Sequence, residues 1–115
     1  GELFIPKLSS YRISDIIKAI TNKKNRIKII GIRPGEKIHE EMISADDGRN
    51  TIEFKNYYVI KPSTKIWDET KFIKNSNDNI GVKCRPNFNY RSDTNKKFLS
   101  VNQIKKLIKK YKNDL

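Results

Sequence analysis

The chain has 115 residues, 36% of them hydrophobic, and a formal charge of +12, which suits one small domain with a modest core. One cysteine (Cys84) and one histidine (His39) exclude an internal disulfide and a conventional zinc site, so no metal is expected. The chain opens on no basic n-region or long apolar run, and no window approaches the ~18 apolar residues of a membrane span; a soluble, cytoplasmic protein without membrane contact is expected.

Leu3, Phe4 and Ile5 read as a strand that stops at Pro6, which has no N–H to extend a ladder. Ser9 to Arg12 is a connector. Ser14 is the expected N-cap of a helix over Asp15 to Asn22, with Asp15 in the first turn. Ile13, Ile16, Ile17 and Ile20 recur at i, i+3, i+4, i+7, so one apolar stripe must be buried. After a polar link at Asn22 to Asn25, Ile27, Ile29, Ile30 and Ile32 form a β-branched run suited to a strand covered on both faces. This completes a β-α-β unit.

Arg33-Pro34-Gly35-Glu36-Lys37 follows. Pro34 fixes φ and Gly35 permits an unusual φ, so the chain reverses sharply. Glu36 and Lys37 open a helix on which Ile38 and Met42 share a face. Strand–turn–helix junctions bind anions because free backbone N–H groups point outward there. Arg33 carries a guanidinium able to hold two phosphate oxygens, and Glu36 stands close enough to accept hydrogen bonds from sugar hydroxyls. Arg-x-x-Glu is a candidate clamp for a ribose beside a pyrophosphate. A solvated Arg before a Pro-Gly turn, and a Glu favouring a helix dipole, account for the same residues without a ligand.

Ser44 to Asn50 reads as a polar loop. Thr51 to Ile60 is aromatic and β-branched and reads as one strand ending before Pro62. From Lys61 to Asn89, Trp67, Phe72, Ile73 and Ile80 stand isolated among Lys, Asn, Asp and Ser, which reads as an extended arm. Phe88 to Asn95 is turn-rich. Ser100 and Gln103 form a capping box for a last helix, with Leu99 stapling onto Ile104. Val101, Ile104, Leu107, Ile108 and Tyr111 supply its apolar face; Lys105, Lys106, Lys109, Lys110 and Lys112 form a solvated outer face.

The string Gly31-Ile-Arg33-Pro34-Gly35-Glu36-Lys37-Ile-His39-Glu40-Glu41-Met42 is followed by Asp46-Asp47-Gly48-Arg49-Asn50-Thr51 and Glu53-Phe54-x-x-Tyr57-Tyr58-Val59-Ile60. Together these resemble the C-terminal region of bacterial polysaccharide-biosynthesis proteins of the extended short-chain dehydrogenase/reductase superfamily. Within it they most resemble UDP-N-acetylglucosamine 4,6-dehydratases and UDP-sugar 4-epimerases. Phe4-Ile5-Pro6-Lys7 and Ile13-x-Asp15 upstream, and Tyr90-x-Ser92-x-Thr94-Asn95 and Leu99-Ser100-Val101 downstream, extend the resemblance over nearly the whole chain.

The resemblance implies an α/β fold: the C-terminal substrate-binding part of an extended short-chain dehydrogenase, without its Rossmann domain. It divides the chain into a β-α-β-α-β core over 1–62, an irregular arm over 63–98 and a helix over 99–115. It places Arg33 on the diphosphate and Glu36 on the uridine ribose, with Lys7 and Arg12 approaching the sugar or phosphates. Tyr11-Arg12 stands where the family pattern has Met-Lys or similar, and Ser9 where a second proline is common. His39, Glu40 and Glu41 match the motif and serve equally to brace a helix. NADP belongs to the parent enzyme; this chain has no Gly-x-Gly-x-x-Gly and is expected to bind no cofactor alone. No catalytic residue carries over. Tyr57 and Lys61 share the Tyr-x-x-x-Lys spacing of the superfamily's catalytic pair, but that chemistry needs one helix face, and the stretch is strand-like.

The function implied is UDP-sugar binding within an NADP-dependent dehydratase or epimerase of surface polysaccharide biosynthesis, with the fragment inactive alone. Its expected partners are a UDP-sugar and either a missing Rossmann half or further copies of the chain. The alternative is a non-enzymatic basic module for nucleic acid or another acidic partner. Charge supports it, but lysine is spread along the whole chain and the aromatics do not interleave with Lys and Arg as nucleic-acid modules require. Nucleic acid is therefore not the expected partner.

Overall fold

Tyr57-Tyr58-Val59-Ile60 is apolar at every position because the strand it forms is covered on both faces. A computed structural model describes residues 1–21, 26–64, 68–70, 73 and 80–112. The chain forms two compact units, Gly1–Leu8 with Glu41–Arg91, and Ser9–Glu40 with Ser92–Leu115.

The first unit holds strands β1 (Leu3–Pro6), β2 (Glu41–Ile43), β3 (Thr51–Glu53), β4 (Tyr57–Ile60), β5 (Val82–Lys83) and β6 (Tyr90–Arg91), with the short helix α2 (Ala45–Gly48) between β2 and β3. Four strands form an antiparallel sheet in the order β1-β4-β3-β5, and β2 pairs with β6. In β4, Tyr58 and Ile60 face a cluster of Ile43 and Tyr90, joined by Ile5, Cys84 and Phe88. Tyr57 and Val59 face the other side, with Ile52, Phe54 and Ile73. The register agrees: Ile5 sits opposite Tyr58, and Ile52 opposite Val59. Pro6 is tolerated because β1 is an edge strand.

Three expectations change here. Thr51 to Ile60 is not one strand but a hairpin, turning at Lys55-Asn56, where the Phe54 N–H donates to the Tyr57 carbonyl at 2.9 Å. Two strands side by side bury both clusters, which one continuous strand would not. Ser44 to Asn50 is not wholly loop: the Ser44 hydroxyl accepts from the Asp47 N–H at 3.2 Å and caps α2. The stretch read as an irregular arm contributes β5, whose Gly81-Val82-Lys83 approach lies against β3, and β6. Trp67 and Phe72 lie outside the described residues.

The second unit holds α1 (Ile13–Ile20) and α3 (Val101–Lys112), which pack on each other. The capping box on α3 forms as the sequence requires: the Gln103 side chain accepts from the Ser100 N–H at 2.8 Å, and the Ser100 hydroxyl from the Gln103 N–H at 3.2 Å. Helix α1 starts at Ile13, earlier than expected. The Arg12 carbonyl takes the first bonds, from Asp15 and Ile16, so Ser14 lies inside the first turn and caps nothing. The helix ends at Ile20, with Thr21 as its C-cap; the expected end at Asn22 lies outside the described residues.

Two larger corrections concern the motif's flanks. Ile27 to Ile32 forms no strand, and Ile29 is 91% exposed. A strand exists only where neighbours take its backbone hydrogen bonds, and none does among the described residues. The β-α-β unit is therefore absent, and β1 pairs antiparallel with β4 instead. No helix starts at Lys37. Glu41 to Ile43 is a strand, with Ile43 fully buried and Met42 exposed, because pairing with Tyr90 and Arg91 overrides the helical spacing.

Candidate functional site

The turn at Arg33 forms without the strand and helix expected on either side. Gly35 has φ +84°, and the Glu36 N–H donates to the Arg33 carbonyl at 3.1 Å. With Pro34 before that glycine, this is the geometry of a type II turn. The Glu36 carboxylate then folds back: one oxygen accepts from the Arg33 N–H at 2.9 Å, and the other lies 3.5 Å from Arg33 Nε. Both side chains remain well exposed, at 76% and 50%. Because no helix follows, no helix N-terminus contributes N–H groups or a dipole, and the guanidinium is the cationic donor group of the turn. Engagement through Nε uses one edge of that group and leaves the fork of terminal nitrogens as a separate donor edge.

The other two candidates are engaged elsewhere. Lys7, in the first unit, sits 2.6 Å from Glu53 and 4.8 Å from the Tyr58 ring centroid. Arg12, in the second, lies over the Phe98 ring at 4.7 Å and 3.9 Å from Asp15. The structure thus joins Arg33 to Glu36 and gives Lys7 and Arg12 partners of their own.

Several residues that the sequence analysis quoted only within the resemblance, with no role assigned, hold the motif's neighbours. In the second unit, Ser92 clamps Glu40 twice: its N–H donates to the Glu40 carbonyl at 2.8 Å, and its hydroxyl accepts from the Glu40 N–H at 2.9 Å. The Asn95 amide donates to the hydroxyl of buried Ser10 at 3.0 Å, and His39 Nδ1 lies 3.7 Å from Asp93. In the first unit, the Tyr90 hydroxyl donates to the Leu8 carbonyl and accepts from the Leu8 N–H. The Tyr90-x-Ser92-x-Thr94-Asn95 pattern carried this signal, since three of its polar groups hold distant backbone or side chains.

The cysteine and the most buried tyrosine of the hairpin are held in their neutral forms. Burial, reinforced by Glu53, pushes the Cys84 thiol up to about 11, and burial likewise pushes Tyr58 up to about 12. Neither ionises near neutral pH. Tyr57 stands on β4, and Lys61 bonds to Glu69, which also pairs with Lys83 at 2.7 Å; these hydrogen bonds hold the Glu69 carboxyl below its usual range. Tyr57 and Lys61 are thus not a helix-face pair. Among the described residues no group of His, Cys, Asp and Glu is placed to hold a metal.

Residues 1–62 match the family described as Polysaccharide biosynthesis protein, more than half of the chain. The chain belongs to that family. It is 44% identical over 109 residues to a UDP-N-acetylglucosamine 4,6-dehydratase (inverting) of Campylobacter jejuni, covering 94% of this chain and 32% of that protein. It is 28% identical to a UDP-glucose 4-epimerase of Rickettsia bellii, covering 94% of this chain and 31% of that protein. Its fold is similar to the X-ray structure of Pen from Bacillus thuringiensis, with a TM-score of 0.70 at 24% identity over 97% of this chain and 32% of that one. The chain spans about a third of the length of these relatives.

Proposed function

We propose that this chain is the UDP-sugar-binding portion of a polysaccharide-biosynthesis enzyme, a cytoplasmic 4,6-dehydratase or 4-epimerase, in which Arg33 takes the diphosphate and Glu36 the ribose. The observation that supports it most is the closed Arg33–Glu36 turn, which presents a guanidinium at an exposed position within the segment that matches the family. Identity favours the dehydratase over the epimerase, 44% against 28% over the same share of this chain.

The parent chemistry implied is hydride transfer through a nicotinamide dinucleotide, a group that the glycines of the described residues do not fit. A dinucleotide cradle needs glycines where a Cβ would meet the pyrophosphate, ahead of a helix. Here Gly48 faces the Phe88 backbone and Gly81 faces Ile52 and Phe54, while Gly31 and Gly35 stand in open space with no helix following. We therefore derive no redox step, and assign this chain binding and orientation of the nucleotide-sugar.

Calorimetric titration with UDP tests the assignment. Arg33→Ala removes a charge-assisted contact worth on the order of 1.5–3 kcal/mol, a loss of about tenfold or more in affinity. Lys109→Ala, on the exposed face of α3, changes affinity little. Glu36→Ala falls between them. Equal losses at Arg33 and Lys109 would mean diffuse attraction by net charge, and the clamp would have to be abandoned.

A further inference from the structure

The Arg33 turn is closed by three contacts between two residues. The backbone bond from Glu36 N–H to the Arg33 carbonyl is the turn's own. The other two come from one carboxylate, which takes the Arg33 backbone N–H at 2.9 Å and stands 3.5 Å from Arg33 Nε. Neither contact needs a ligand. Free, an arginine side chain samples many rotamers and must lose that freedom on binding. Tied at its backbone and at Nε, it has already lost part of it.

We propose that Glu36 is a positioning residue: its carboxylate fixes Arg33, backbone and side chain together, so that the guanidinium's terminal nitrogens meet a diphosphate preorganised. This rests on the diphosphate reading above and adds a role that a ribose contact does not require. It also carries an unusual sign. A carboxylate near a phosphate site repels the ligand, so electrostatics alone makes any neutral replacement bind anions more tightly. Positioning makes the replacement that loses the hydrogen bond bind them more weakly.

Inorganic pyrophosphate, which has no ribose, separates these effects when titrated against the 115-residue chain and its Arg33→Ala, Glu36→Ala and Glu36→Gln variants. Glutamine keeps a carbonyl for the Arg33 N–H and removes the charge; alanine removes both. The expected result is a loss of about threefold to tenfold for Glu36→Ala, with Glu36→Gln at or above the unsubstituted affinity. In the amide spectrum, the Arg33 N–H should exchange faster in Glu36→Ala and stay protected in Glu36→Gln. Equal behaviour of the two variants toward pyrophosphate overturns the positioning role. So does a loss by Glu36→Ala seen with UDP and with uridine but not with pyrophosphate, which would leave a ribose contact alone. Pyrophosphate binding that Arg33→Ala does not weaken, or no binding by the unsubstituted chain, overturns the diphosphate reading and this one with it.

Discussion

Gly48→Ala tests the packing around the motif's second segment, and its sign alone is informative. In an open helix the change gains roughly 1 kcal/mol, because alanine loses less backbone entropy on folding. Here a Cβ at position 48 would stand 2.1 Å from the Phe88 carbonyl oxygen, 2.9 Å from its carbon and 3.0 Å from its nitrogen. The nearest of these falls more than 1 Å short of ordinary contact. All three atoms are backbone, so no rotamer change relieves the clash. Phe88 is itself fixed: its N–H donates to the Arg85 carbonyl at 3.1 Å, Asn87 before it already sits at φ 64°, and its ring packs 5.2 Å from Tyr58. Relief must therefore move the turn away from α2 and loosen the cluster of Ile43, Tyr58 and Tyr90. We expect a loss of about 2–3 kcal/mol, the upper part of the usual overpacking range. Gly81→Ala is the comparison: its Cβ would meet side-chain atoms of buried Ile52 and Phe54 at 2.7 Å, a clash that side-chain repacking can share without moving a hydrogen-bonded turn. Urea denaturation of the three proteins measures both. Stabilisation by Gly48→Ala, or a cost below that of Gly81→Ala, would refute the reasoning.

The remaining expectations follow the charges and the apolar surface. Glu69 has a folded pKa below its ordinary 4.5, so its contribution is present above that value and lost as pH falls through the depressed one. Glu69→Gln should lower the urea midpoint at neutral pH and flatten its decline on acidification. Cys84 and Tyr58 are raised, from 9.0 to about 11 and from 10.0 to about 12, so stability should fall as pH climbs through those windows. Cys84→Ser should remove the earlier part of that fall, and a thiol reagent should react slowly with Cys84 at neutral pH until denaturant is added. The exposed Ile27, Ile29, Ile30 and Ile32 should bind a hydrophobic dye, and paired Ile29→Lys and Ile30→Lys changes should cut the fluorescence; unchanged dye binding would count against that surface.

What the sequence disclosed follows from how local each signal is. The capping box of Ser100 and Gln103, the stop at Pro6 and the Pro34-Gly35 turn depend on residues within a few positions of one another, and all three formed. The Arg33–Glu36 contact spans only three residues across that turn, but the sequence reading gave Arg33 and Glu36 each to a ligand and did not pair them with each other. Ile27 to Ile32 and Lys37 to Met42 failed because their periodicity names a face, not a partner. The first has no pairing strand among the described residues, and the second was drawn into a ladder with Tyr90 and Arg91, about fifty residues away. Ser92 and Asn95 were legible only as part of a resemblance; which backbone each one holds is a property of the folded chain.

The two units differ in where their isoleucines go, and the difference bears on how the turn works. In the first, Ile43, Ile52 and Val59 are fully buried with Phe54. In the second, Ile104 is the buried apolar side chain among the described residues, while Ile13, Ile20, Ile27, Ile29, Ile30, Ile32 and Ile38 stand exposed. Each such side chain forgoes about 1.5–3 kcal/mol available from full burial. Arg33 lies in this second unit, so the scaffold around the turn gains little from its own core. Its order has to come from contacts at hand: the α1–α3 packing, the Ser92 clamp on Glu40 and the Glu36 carboxylate on Arg33. A turn that carries its own closure holds its arginine where the surrounding packing is thin, and in the proposed clamp that gives the carboxylate three residues on a part beside the arginine it holds.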